Sequence, residues 1–247
     1  MKLALFADVH SNLEALTACL AHARVMGAER YAFLGDLVGY GADPVAVLDL
    51  IEQYAAKGAI VVRGNHDAAA TGCGIDNLNS YAQAAITWTV TQLGDSHRAF
   101  LTSLPLTVRD ADMLFVHASA MLPEVWTYIT GPRQAEESIR AAMANYIFCG
   151  HVHEPKLYYG GAGGQPMPFK PISGTPIPTA RHRQWLAIVG SVGQPRDGKN
   201  QACYALFDPA RERITFFRIP YDHDTAAKKI RAAGLPERLA LRLERGA

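Results

Sequence analysis

KLALFADVHSNLEAL, residues 2–16, sets a short apolar run directly before an Asp-x-His triplet and a helix start. Leu3 to Ala7 reads as a buried strand. Ser11 and Asn12 are good helix caps, and Leu13, Leu16 and Leu20 follow at helical spacing. The same unit then repeats. Tyr31 to Leu34 reads as a second strand, and Asp43-Pro44 opens a helix running to about Lys57, with proline at its first position. Ala59 to Val62 is a third strand. This β-α-β-α-β order predicts a parallel sheet covered by helices.

Downstream, residues 77–103 read as two helical pieces broken near Gly94-Asp95. Leu106 to Arg109 and Met113 to Val116 read as adjacent strands, with Arg109-Asp110 near the turn. Pro132 to Asn145 is a helix with Ile139 and Met143 on one face, and Tyr146 to Cys149 a buried strand. Gly160 to Pro178, rich in Gly and Pro, reads as loop or hairpin. Strands are expected at 185–189, 204–208 and 214–219, and helices at 226–233 and 236–245. The expectation is one domain over 1–247, with a helical cap-like segment at about 71–105 and C-terminal packing helices at about 224–245, where a homodimer contact stays open.

Composition narrows the function. The 247 residues are 49% hydrophobic and 19% charged, with a formal net charge of +1. Such a chain is not disordered, and nothing in its overall charge attracts extended nucleic acid or an anionic membrane. No apolar run reaches the roughly 18 residues of a membrane span, so a cytoplasmic protein with no membrane partner is expected. Cys19, Cys73, Cys149 and Cys203 form no CxxC pair and read as buried small hydrophobes in a reducing compartment.

Five of the nine histidines stand just after predicted strands, with acids or amides beside them. Asp8 and His10 end the first strand, Gly35-Asp36 follows the second, and Gly64-Asn65-His66-Asp67 the third. His117 ends the strand from Met113, and Gly150-His151-Val152-His153 follows Cys149. Ligand sites in such sheets form at the carboxyl ends of strands, and five segments deliver polar groups there. Asp8 and His10, two apart in extended chain, are expected to point the same way, as are His151 and His153. Imidazole with carboxylate suits Mn, Fe, Zn or Ni. Asp8, His10, Asp36, Asn65, His117, His151 and His153 are too many for one tetrahedral ion, but two ions sharing a bridging carboxylate would use them all. Two divalent cations against two carboxylates leave the site positive, which suits an anionic phosphoryl group. His22, His97, His182 and His223 read as ordinary surface or hydrogen-bonded residues, and Tyr81, Trp88 and Trp126 as core.

The ordered blocks DxH, GD, GNH, H and GHxH, over residues 8–153, resemble the calcineurin-like metallophosphoesterase superfamily. SNLEAL (11–16), GDLVGYGADP (35–44), GSVGQPRDG (190–198) and GLPERLALRL (234–243) look like a small bacterial cytosolic subfamily. The resemblance implies a four-layer αββα sandwich with two mixed β-sheets, and a dimetal site at the carboxyl ends of the strands. It implies one metal on Asp8, His10, Asp36 and His153, and another on Asp36, Asn65, His117 and His151. Manganese is the favoured metal, with iron, zinc or nickel as alternatives. The implied reaction is in-line attack on phosphorus by a metal-bridging hydroxide, with His66 protonating the leaving oxygen. Arg196 is a candidate to hold substrate phosphate.

One departure matters. The protein phosphatase branch reads GDxVDRG, but here Gly39 and Tyr40 stand at the second Asp and the Arg. The first would have oriented His66, and the second would have held a monoester dianion bidentately. The expected activity is therefore phosphodiester hydrolysis on a small nucleotide-like substrate. The alternatives are a dinucleoside polyphosphate hydrolase, a phosphomonoesterase or protein phosphatase, and, ranked last, a non-catalytic scaffold.

Overall fold

The first three strands, β1 (Lys2–Phe6), β2 (Ala28–Leu34) and β3 (Ile60–Val62), lie side by side and parallel in the computed structural model, which describes residues 1–160 and 164–246. Between them run α1 (Leu13–Val25) and α2 (Pro44–Ala55). The helical segment after β3 comprises α3 (Asn65–Ala70), α4 (Ser80–Gln92) and α5 (Asp95–Ser103). Then come β4 (Thr107–Asp110), β5 (Met113–Val116), α6 (Pro132–Ala142), β6 (Tyr146–Cys149), β7 (Lys156–Tyr159), β8 (Met167–Phe169), β9 (Ile177–Pro178) and β10 (Trp185–Ile188). The chain closes with β11 (Ala202–Asp208), β12 (Arg213–Ile219), α7 (His223–Ala232) and α8 (Glu237–Arg245).

Two six-stranded mixed sheets result, in the orders β3-β2-β1-β11-β12-β9 and β4-β5-β6-β10-β7-β8. In the first, β11 turns the sheet antiparallel against β1; in the second, β5, β6 and β10 are parallel and the flanking strands antiparallel. Side-chain alternation builds the layers. Ala4, Phe6 and Phe33 face the helices, packing on Leu16, Leu20, Leu48, Ile51 and Leu101. Leu3, Leu5, Ala32 and Leu34 face the other way, onto Phe115, Phe148 and Ala187 of the second sheet. The far side of that sheet packs Ile147 and Leu186 under Ala135 and Ile139 of α6. The order is helix, sheet, sheet, helix: the αββα sandwich with two mixed sheets.

Local details correct several expectations. Asn12 caps α1, its side chain accepting from Ala15 N at 3.1 Å. Asp43 makes no such cap and instead takes Lys229 of α7 at 2.8 Å. α6 stops at Ala142 because Met143 turns left-handed (φ 46°), so Ile139 is buried while Met143 is 81% exposed. The β4–β5 turn falls at Ala111-Asp112, since Asp110 still pairs with Met113. The Gly/Pro-rich stretch holds β8 and β9, and its residues 161–163 lie outside the described residues. Cys19, Cys149 and Cys203 are buried, but Cys73 is exposed, and all four are free. No helix among the described residues is long and apolar enough to cross a membrane.

Candidate metal centre

The loops after β1, β2 and β3 of one sheet and after β5, β6 and β10 of the other meet at a shared edge. Their backbone is not extended there. Asp8 (φ 53°), His10 (49°), Asp36 (53°), His151 (66°) and His153 (65°) all lie in the left-handed region, so the expectation of extended Asp8–His10 and His151–His153 pairs is corrected. Non-glycine residues hold that conformation at a cost of about 1–3 kcal/mol each, and only where the surroundings impose it. Here they do. Asp8 N donates to Gly35 O (3.1 Å), His10 N to Asp36 O (2.9 Å) and Ser11 N to Leu37 O (3.0 Å), which zips the first two loops together. The GSVGQ segment closes over them: Val192 N donates to Ala7 O (2.9 Å), and Gly193 N (2.9 Å) and Ser191 Oγ (2.8 Å) to Asp8 O. Buried Asp67 accepts from Leu37 N (2.8 Å), Val38 N (3.2 Å) and Gly64 N (2.9 Å), welding the second loop to the third. Only glycine fits at 64, because a Cβ there would collide with the Asp36 backbone and carboxylate.

All seven expected ligand side chains come together. One group is Asp8, His10, Asp36 and His153; another is Asp36, His117 and His151, so Asp36 belongs to both. Asp36 Oδ2 lies 3.7 Å from His10 Nε2 and 3.4 Å from His117 Nε2. His153 Nε2 is 3.5 Å from Asp8 Oδ1 and 3.2 Å from His10 Nε2. His117 Nε2 is 3.1 Å from His151 Nδ1 and 3.2 Å from Asn65 Oδ1. Behind the cluster, the Nδ1 atoms of His10, His117 and His153 face the carbonyls of Val38 (3.2 Å), Leu34 (2.7 Å) and Gln194 (2.6 Å). A carbonyl only accepts, so Nδ1 carries a proton in all three, and in neutral His10 and His153 the Nε2 lone pair faces inward. Two inward lone pairs 3.2 Å apart repel unless a cation lies between them. The donor set therefore fits divalent transition metals.

Electrostatics agree. Burial drives the pKa values of His10 and His153 well below normal and that of His151 to about 3, leaving neutral imidazoles. Burial pushes Asp8 up to about 8, with the Asp36 charge adding to the rise. Burial would raise Asp36 too, but His117 and His66 hold it well below the carboxylate range. Burial alone would lower His117, but the charge and hydrogen bond of Asp36, with the Asp8 charge and the Leu34 carbonyl, together raise it to about 9.

His66 stands beside the cluster, its backbone N–H donating to Asp36 Oδ1 at 2.8 Å and its ring 4.5 Å from Tyr40 and 4.8 Å from His10. Its Nδ1 is buried without a partner, and a Cβ at position 39 would come within 2.5 Å of it. With glycine at 39, no side chain from that position reaches this nitrogen. In front opens a cleft of about 710 Å³ lined by Asn65, His66, His151, Arg63, Trp126 and Tyr128 among others. Trp126, expected in the core, is instead half-buried in this wall with its ring 5.8 Å from His117. Tyr81 is likewise exposed, whereas Trp88 packs against the C-terminal helices. Tyr128 went unread in the sequence, and its ring stacks on His151 at 3.9 Å. It lies in an irregular loop, where no periodicity marks it. Arg196 lies beside Tyr40, its guanidinium 5.8 Å from the ring centroid.

A family model for the calcineurin-like phosphoesterase superfamily domain matches residues 1–212. The chain is 35% identical over 246 residues to an uncharacterized protein of Methanocaldococcus jannaschii, covering 98% of this chain and 96% of that one. It is similar to the crystal structure of a metallophosphoesterase from Sphaerobacter thermophilus, at 36% identity and a TM-score of 0.88, over 100% of this chain and 99% of that one. A hypothetical protein from Pyrococcus horikoshii OT3 shares the fold, with a TM-score of 0.80 at 22% identity over 100% and 98% of the two chains.

Proposed function

Since this chain belongs to the calcineurin-like phosphoesterase superfamily, we propose that it is a two-metal phosphodiesterase acting on small nucleotide-like substrates in the cytoplasm. The observation that carries this reading is the convergence of seven donor side chains, sharing Asp36, of which Asn65 and His151 line an aromatic-walled cleft. Asp8, His10, Asp36 and His153 would hold one divalent ion, and Asp36, Asn65, His117 and His151 the other, with manganese favoured. Ions bound there supply positive charge for the phosphoryl oxygens and acidify water.

The chain's own residues do the rest. His66 presents Nε2, the nitrogen away from Gly39, to the cleft and from there passes a proton to the leaving oxygen. Burial lowers its pKa, and an anionic phosphoryl group beside it restores the protonated form. Trp126 and Tyr128 offer flat faces on which a nucleobase stacks. Tyr40 fills the place of the guanidinium that would clasp a monoester dianion, which favours singly charged diesters. The four unpaired thiols fit a reducing compartment.

The test strips the protein of metal, reloads it with Mn²⁺, and compares bis(4-nitrophenyl) phosphate with 4-nitrophenyl phosphate. Higher kcat/KM on the diester supports the reading, and faster monoester turnover overturns it.

A further inference from the structure

Arg242 belongs to α8, beyond the residues 1–212 matched by the family model, yet its guanidinium reaches Tyr40 at the rim of the site. Its guanidinium lies 6.0 Å from the Tyr40 ring centroid, and that of Arg196 lies 5.8 Å from the same ring. Both donate to one oxygen, Gln194 Oε1, at 3.3 and 3.1 Å. Neither guanidinium pairs with a carboxylate among the described residues. Arg196 also keeps a buried Nε without a partner. Two cations gathered on one neutral acceptor repel each other, and burial together with the Arg196 charge lowers the pKa of Arg242. The pair is nonetheless held in place. Arg218 of β12 grips Asp197, the neighbour of Arg196, and Leu239, Ala240 and Leu243 bury the opposite side of α8. The pair also adjoins the metal cluster. The Tyr40 ring lies tilted 4.6 Å from that of His10, and the Arg196 charge acts on Asp8, His10, His66, His151 and His153. Around Arg242 the surface stays positive, with Arg238 and Arg245 lining a depression of about 260 Å³.

We propose that Arg196 and Arg242 form an anion subsite for a second phosphate, next to the scissile one, so that the substrate class is small phosphoesters or anhydrides carrying two or more phosphates. This rests on the hydrolase reading of the neighbouring cluster. An internal phosphate of an anhydride carries one negative charge, as a diester does, so it suits the same metal cluster. Hydrolysis places the hydroxyl of water on one phosphorus, breaks its bond to the bridging oxygen, and leaves that oxygen, with the remaining proton, on the other phosphate. Two guanidiniums give the second phosphate charge-assisted hydrogen bonds and end the repulsion between them.

Two measurements test the subsite. The first uses the Mn²⁺-loaded protein and the ratio of kcat/KM for a dinucleoside tetraphosphate to that for bis(4-nitrophenyl) phosphate. R242Q lowers this ratio about tenfold or more, mainly through KM, whereas R211Q, on the remote β11–β12 turn, leaves it unchanged. The second titrates inorganic pyrophosphate into metal-free protein by calorimetry, where R242Q weakens binding by a similar factor. R242K, which keeps the charge, retains part of both effects. An unchanged ratio and unchanged pyrophosphate affinity in a folded R242Q protein would overturn the subsite. If the loaded wild type hydrolyses neither substrate while pyrophosphate binding still depends on Arg242, the hydrolase reading fails and the subsite stands.

Discussion

Asp36 is where the two groups of donor side chains meet, and its geometry allows no substitute. Oδ1 accepts the His66 backbone N–H, while Oδ2 faces both His10 and His117. An amide at this position keeps the shape but offers one oxygen and no charge. Asp36→Asn should reduce bound manganese from about two ions per chain to one or none, as read by elemental analysis. Turnover should drop by about 100-fold or more, since disturbing even an outer contact to a ligand costs 10–100-fold. Full metal content with unchanged activity would refute the shared-ligand assignment. These positions were legible because polar residues directly after apolar runs are conspicuous. Their left-handed backbone was not. Nothing in the identities of Asp8 or His10 announces a positive φ, which neighbouring loops impose through long-range hydrogen bonds.

At the scale of elements, α8 is the instructive case. Its amphipathic spacing reads as packing, and packing is what Leu239, Ala240 and Leu243 do, against Ala82, Ala85 and Ile230. Leu239→Ala should cost about 2–5 kcal/mol, measured as a lower urea midpoint, because the side chain is fully buried. A loss under about 1 kcal/mol would mean that α8 is not anchored by this contact. The polar side of the same helix could not be read from sequence. Arg242 meets Gln194 across 48 residues of chain, and periodicity carries no information at that separation. Strands were easier, since β5 and β6 are buried apolar runs, and their bounds came out as read. Trp126 and Tyr128 sit in a stretch with neither period, so the cleft wall they form had no local signature.

For the whole molecule, burial of so many titratable groups at one edge ties metal uptake to pH. Without metal, Asp8 near pKa 8 and His117 near 9 still hold protons at pH 7. Both must lose them to become ligands. Metal affinity should therefore rise between pH 6 and 8, by about tenfold per pH unit for each proton displaced, and level off above 9. Calorimetry in buffers of different ionisation enthalpy counts those protons. A flat affinity over this range would contradict the assigned burial.

The shared edge has one further consequence. Asp8, His10, Asp36 and Asn65 hang from one sheet, while His117, His151 and His153 hang from the other. Each group of donors draws on both. An ion seated in either group is then a rivet through the two halves of the sandwich, and every loop it fastens gives up its freedom to drift. Chelation should therefore loosen this seam, and melting temperature should track free metal concentration, because only the folded edge gathers the rivet's seven ends.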